Sequence, residues 1–66
     1  MNYYITLTHR DDSKIISKHD TLDEALIAGK NVYEKSNRGD VVSCISGTIG
    51  EDGNIEGKYR LYKSWF

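Results

Sequence analysis

The sequence predicts an α+β fold: a two-layer, four-stranded, mostly antiparallel sheet in the order β-β-α-β-β, with one helix over about residues 21–37 packed on one face. Three observations predict it. Residues 3–8 alternate in polarity, residues 21–35 place one apolar stripe at helical spacing behind a capping sequence, and two β-branched segments flank a glycine-bounded turn at residues 50–53.

The first segment, Tyr3-Tyr4-Ile5-Thr6-Leu7-Thr8, puts Tyr3, Ile5 and Leu7 on one side and Tyr4, Thr6 and Thr8 on the other, as a half-buried strand requires. The polar run His9-Arg10-Asp11-Asp12-Ser13 reads as a connector, and Lys14-Ile15-Ile16-Ser17-Lys18 as the return arm of a hairpin. Ile15 and Ile16 point opposite ways, so the pattern leaves the register of this arm open.

Thr21-Leu22-Asp23-Glu24 has the form of a capping box, with the Thr21 hydroxyl accepting from the Glu24 N–H and the Glu24 carboxylate reaching back. Leu22, Ala25, Leu26, Gly29, Val32 and Tyr33 form the stripe, and charged residues take most of the remaining surface. Glycine in that stripe costs about 1 kcal/mol against alanine, so its expected return is a close approach of helix to sheet. Asn37 or Gly39, which tolerate the left-handed cap conformation, are the expected stop.

Two registers compete for the second hairpin. A two-residue turn at Asp52-Gly53 splits the apolar residues between both faces, whereas a three-residue loop, Glu51-Asp52-Gly53, pairs Ile49 with Ile55, Ile45 with Tyr59 and Ser43 with Leu61. The second gathers Val41, Ile45, Ile49, Ile55, Tyr59 and Leu61 on one face, which the helix is expected to cover. Val42, Cys44, Ser46 and Thr48 then lie on the open face beside Glu56, Lys58, Arg60 and Tyr62. The order of strands in the sheet does not follow from the pattern. Trp65 and Phe66 either fold back to close the core or stand displayed.

Composition narrows the classes of function. The 66 residues fit one domain, 1–66, and a chain of this size buries only about 60% of its unfolded surface, leaving a thin core. Nine Lys and Arg against ten Asp and Glu give a net charge of −1, which provides no global field for a polyanion. The single cysteine makes no internal disulfide, and the first residues resemble neither a signal peptide nor a membrane span, so the expected location is cytoplasmic, without membrane association.

No constellation of residues reads as a catalytic or metal centre, and no enzyme activity, metal or cofactor is expected. His9, Asp11, Asp12, His19 and Asp20 lack the spacing that fixes a coordination geometry, and Glu51-Asp52-Gly53-Asn54 lacks the repeated oxygen ligands of a calcium loop. Cys44 with His9 or His19 as base reads by default as a structural cysteine on a strand. Arg38-Gly39-Asp40 spells an integrin-ligand tripeptide, but Gly39 already serves as helix terminator.

The open sheet face is the expected site. Its candidate residues are Tyr4, Thr6, Cys44, Lys58, Arg60 and Tyr62, with Trp65 and Phe66 beside them, a mixture of aromatic and basic groups of the kind that protein-binding hot spots favour. The same face suits a second copy of the chain, giving a homodimer. Aromatics flanked by Lys58, Arg60 and Lys63 also suggest a platform for single-stranded nucleic acid, although Arg38-Gly39 is followed by Asp40-Val41-Val42-Ser43, with no ring at the stacking positions of the RNA-recognition motif.

Thr21-Leu22-Asp23-Glu24-Ala25, Gly39-Asp40-Val41-Val42-Ser43, Asp52-Gly53-Asn54-Ile55 and Tyr59-Arg60-Leu61-Tyr62 together resemble small ββαββ proteins encoded in bacterial genomes, phages and mobile elements. The resemblance covers residues 21–62 and carries no active residue. It implies a small folded protein that binds and inhibits or redirects a host factor. The functional expectation is a non-enzymatic protein-binding module or inhibitor, with nucleic-acid binding and structural homodimerisation as alternatives.

Overall fold

A computed structural model describes residues 2–66. The elements run β1 (Tyr3–His9), β2 (Asp12–His19), α1 (Leu22–Lys35), β3 (Val41–Ile49) and β4 (Ile55–Trp65). The strands form one antiparallel-paired sheet in the order β2-β1-β3-β4, with α1 packed on one face, which is the expected α+β architecture. β2 and β3 both run antiparallel to β1, so they are parallel to each other. The connection between them therefore crosses over β1, and α1 lies in that crossover.

Each hairpin contains devices that its sequence pattern shows only in part. In the first, His9 pairs with Asp12 around Arg10-Asp11, and Arg10 takes a left-handed φ of 58° to close this short turn. The register shifts between Ile5 opposite Ser17 and Thr6 opposite Ile15. Ile16 is the extra residue, and this bulge resolves the conflict between two adjacent isoleucines.

The second hairpin starts as expected. Ile49 pairs with Ile55, Gly53 has a φ of 83°, the Gly53 N–H donates to the Gly50 carbonyl at 3.0 Å, and the Gly50 N–H donates to the Asn54 carbonyl at 2.8 Å. Beyond Thr48 opposite Glu56 the register departs from the expected one. Gly47 faces Tyr59, which leaves Gly57 and Lys58 extra, with Gly57 at a φ of 74°. A second shift, with Ile45 opposite Leu61 and Cys44 opposite Lys63, leaves Tyr62 extra. Ile45 thus pairs with Leu61 rather than Tyr59, and Ser43 with Ser64 rather than Leu61.

These registers decide which face the helix covers. Ile5 lies opposite Cys44 and Leu7 opposite Val42, so the apolar side of β1 continues into Val42 and Cys44 of β3. Ile5, Val42, Cys44 and Ala25 are all 0% exposed and form the buried cluster. Leu22, Leu26, Val32 and Tyr33 of the helix pack around it, as the stripe predicts. The expectation that Ile45, Tyr59 and Leu61 lie under the helix is reversed: they share one face, as grouped, but it is the face turned away from α1.

The one-residue shift at Tyr62 also turns Trp65 towards the helix, opposite Val42. Its ring packs against Gly29. A β-carbon on Gly29 would stand 2.5 Å from two carbons of the Trp65 ring and 3.2 Å from Ile5 Cδ1, so the glycine in the stripe allows the expected close approach. Of the two aromatics at 65 and 66, Trp65 joins the core, and Phe66 is 86% exposed.

The helix begins where expected, with the Glu24 N–H donating to the Thr21 hydroxyl at 3.2 Å. It ends slightly earlier than residue 37 and by another device. Ser36 caps it in an extended conformation, its N–H and hydroxyl both donating to the Tyr33 carbonyl at 3.1 and 2.7 Å. Gly39, with a φ of 94°, shapes the loop beyond rather than the cap itself.

Gly29→Ala measures the tightness of the helix–sheet contact. The substitution gains about 1 kcal/mol of helix propensity, and overpacking a filled core costs typically about 1–3 kcal/mol. A lower urea midpoint is expected, with the loss reduced when Trp65→Phe is added. A Gly29→Ala protein more stable than the parent would contradict the contact.

Candidate functional site

The face away from the helix is built in rows that cross the sheet. One row runs from Ile15 through Thr6 and Ser43 to Ser64, and the next from Lys18 through Tyr4 and Ile45 to Leu61. Tyr59 lies beyond, opposite Gly47. A β-carbon on Gly47 would stand 3.2 Å from Tyr59 Cβ, so this glycine lets β4 approach β3 closely.

These rows enclose a trough of about 360 Å³. Ile15, Ile45, Ile55, Tyr59 and Leu61 supply its apolar lining, and Thr6, Thr8, Ser13 and Ser43 supply hydroxyls. Ile45 on the floor is only 4% exposed, whereas Tyr59 and Leu61 remain 59% and 54% exposed. Asn54, at the end of the turn, and Ile55, the first residue of β4, lie far along the hairpin from Trp65, yet they line the same trough as Ser13 and Lys14 of β2. The hairpin therefore curls over this face, bent at the Gly57-Lys58 bulge.

The polar groups of the trough are partly paired among themselves. The Thr8 hydroxyl donates to the Ser13 hydroxyl at 3.0 Å, and the Ser43 and Ser64 hydroxyls lie 3.0 Å apart. Lys14 is the one charged side chain of the lining and makes no ion pair with any described residue. The surface is thus apolar and hydroxyl-bearing, with its charge at the margin.

Of the eight candidate residues, the structure places Tyr4 and Thr6 on this face. Cys44 does not belong to it: it lies opposite Ile5 under the helix, where burial pushes its thiol pKa up. Arg60 is paired with Ser46, on the same side as the core. Tyr62 packs against the core, its hydroxyl 3.1 Å from the Ser46 hydroxyl, its ring edge-on to Tyr3 at 5.4 Å, and the Arg60 guanidinium 5.1 Å from its ring centre. Trp65 sits at Gly29 with the Lys63 ammonium 5.4 Å from its ring. Lys58 is in the bulge, and Phe66 follows the end of β4 and is exposed. The eight do not form one surface.

The residues missed are Ile15, Ile45, Ile55, Tyr59 and Leu61. Their grouping, apart from Ile15, is legible in the register that pairs Ile49 with Ile55. The missing signal is which face the crossover helix covers.

A second hollow, lined by Leu7, His9, Asp12, Ser13, Lys14, Asn37 and Asp40, lies where β1 meets the α1–β3 connection. His9 Nδ1 contacts Asp40 Oδ1, and the Asn37 N–H donates to Asp40 Oδ2 at 3.0 Å. The hydrogen bond from His9 holds the Asp40 carboxyl below its ordinary pKa, with the Asn37 N–H adding to the effect and burial opposing it. This pair ties the end of β1 to the loop before β3, and it reads as a latch within the fold. Among the described residues, no three His, Cys, Asp or Glu side chains gather where they could hold a metal ion, and no helix is long and apolar enough to cross a membrane.

Compared with protein-family models, with curated proteins and with solved structures, the chain matches none of them.

Two measurements check this placement. Native Cys44 should react with a thiol-alkylating reagent far more slowly than the unfolded chain; equal rates would put Cys44 on an exposed face. Asp40→Asn should lower stability at neutral pH. Because the folded pKa of Asp40 is depressed, its contribution is present above the ordinary carboxylate value of about 4 and is lost as pH falls through the folded value. The gap between parent and variant in urea unfolding should therefore narrow below about pH 4, and a gap independent of pH would contradict the latch.

Proposed function

We propose that this chain is a non-enzymatic protein-binding module whose contact surface is the trough face of the sheet. The observation that carries the reading is the position of Tyr59 and Leu61. Both are more than half exposed, and both stand beside Ile15, Ile45 and Ile55 on a face that no helix covers. Leaving two large apolar side chains in water forgoes burial worth about 1.5–3 kcal/mol each, and a partner recovers it. Tyrosine beside aliphatic groups, with hydroxyls ready to pair, is the composition of a protein-contact core. A host factor as the target, as the resemblance implies, is the finer form of the same proposal.

Nucleic-acid binding is the weaker reading. Of the three cations it relies on, Arg60 and Lys63 lie over the Tyr62 and Trp65 rings on the helix side, which leaves only Lys58, in the bulge, beside the exposed Tyr59. A single-stranded platform needs its rings and cations on one surface.

The test is capture of partners by the parent protein, by Leu61→Lys and by Ile27→Lys, each with and without nuclease. Ile27 is an exposed helix residue and serves as control. Loss of a hot-spot side chain costs about 2 kcal/mol or more, roughly 30-fold in affinity. Leu61→Lys should lose the partner by at least that factor while Ile27→Lys keeps it, with unchanged unfolding midpoints and no effect of nuclease. Capture that survives Leu61→Lys, or disappears with nuclease, would refute the reading.

A further inference from the structure

We infer that residues 47–58, the outer part of the second hairpin, form a strap that folds back over the trough and swings out at a glycine hinge to open it. Such a gate regulates the trough face, and in that respect it rests on the protein-binding reading.

The strap is a two-stranded ribbon outside the main sheet. β1 pairs with β3 from Thr8 opposite Val41 to Tyr3 opposite Ser46, and there the pairing ends. Beyond Ser46, β3 has only β4 beside it. A two-stranded ribbon alone is marginally stable and twists more strongly than the strands of a wide sheet. Its side chains do not tie it down. The Asp52 carboxylate accepts from the Asn54 N–H at 3.1 Å and from the Asn54 side-chain amide at 3.3 Å, both within the turn. Among the described residues, no hydrogen bond or ion pair joins a side chain of residues 47–58 to the rest of the protein.

Strand length fixes how far the ribbon folds. An unbent β3 carries Ile49 about 26 Å from Val41, at the far end of the sheet from Thr8 and Ser13. Ile55 pairs with Ile49, yet Asn54 and Ile55 line the trough together with Thr8 and Ser13. The ribbon therefore returns across the face. It arches over rather than docks, since no Cα of β4 comes within 8 Å of one in β1 or β2. Its cover is felt at Ile45, which is only 4% exposed although no helix lies on that face.

Each strand of the ribbon has a glycine at its root. Gly47 of β3 faces Tyr59, and Gly57, at a φ of 74°, lies in the two-residue bulge between the Thr48–Glu56 and Gly47–Tyr59 pairs. The bulge interrupts the ladder, and glycine on both sides lets the backbone dihedrals change there at little steric cost. Bending is thereby confined to one line across the ribbon. Swinging out carries Ile55 and the turn away from the floor, leaves Tyr59 and Leu61 in place, and opens Ile45 and Ile15 to a partner.

Removing Gly57 and Lys58 tests the gate. The deletion makes Thr48–Glu56 and Gly47–Tyr59 successive pairs and, being two residues long, keeps Tyr59 and Leu61 on their face. The strap should then run straight. Under a soluble paramagnetic probe the Ile45 methyl groups should be protected in the parent and relax several-fold faster in the deletion variant, with Ile5 and Val42 protected in both as the sign of an intact core. Methyl relaxation dispersion on the parent depends on no variant folding. Hinge motions fall in the microsecond-to-millisecond range, so Ile49 and Ile55 should show exchange and Ile5 should not. A core-intact deletion variant with Ile45 as protected as in the parent overturns the strap as a cover, and a parent without exchange at Ile49 and Ile55 overturns the hinge. Neither measurement involves a partner, so either failure leaves the capture experiment to decide the contact surface, and capture that survives Leu61→Lys leaves the strap standing.

Discussion

The fold depends on one contact between large and small, the Trp65 ring against the backbone of Gly29. With so few fully buried side chains, a thin core has little to spare, and this contact sets how closely the helix lies on the sheet. It also determines β4. For Trp65 to reach the helix from a strand whose Tyr59 and Leu61 point the other way, the alternation has to slip by one residue, and it slips at Tyr62. The displaced Tyr62 remains useful there, because its ring meets Tyr3 and its hydroxyl meets Ser46. The approach of the helix and the slip at Tyr62 thus both serve one seat for one indole.

The same geometry links the fold to its surface. A single helix covers one side of a four-stranded sheet, and the crossover from β2 to β3 lays it over the side that holds Ile5, Val42 and Cys44. The apolar residues on the other side of β3 and β4 then have only one another and the curled hairpin for cover. The Gly57-Lys58 bulge turns that hairpin inward and makes a trough of what is otherwise a flat surface. The binding reading follows from this incomplete cover, since the lining offers apolar area and hydroxyls rather than a gathering of titratable groups.

Local chemistry was the legible part of the sequence. Thr21 as the cap, the helix stripe with its glycine, the alternation of β1 and the Glu51-Asp52-Gly53 loop all follow from neighbours a few residues apart, and the structure has them. The grouping of Ile45, Ile49, Ile55, Tyr59 and Leu61 was legible for the same reason. Whether that group faces the helix depends on how β1 pairs with β3 across more than thirty residues of chain, and two alternating strands carry no mark of their mutual parity. The candidate site inherits this ambiguity: Tyr4 and Thr6 follow from the alternation of β1 alone and lie on the open face, whereas Cys44, Arg60 and Tyr62 depend on the parity of β3 and β4 and lie on the other. The bulges at Ile16, Gly57 and Tyr62 were hidden for a related reason, because a bulge is a property of two strands and only Gly57 gives a local hint.

The central claim is that Leu61 and Ile55 look outward while Val42 and Ile5 lie beneath the helix. The most direct measurement is relaxation of methyl resonances by a soluble paramagnetic probe. Strong relaxation of the Leu61 and Ile55 methyl groups, with Val42 and Ile5 protected, is the predicted result. Val42 relaxed as strongly as Leu61 would contradict the account, because it would place the helix on the other face of the sheet.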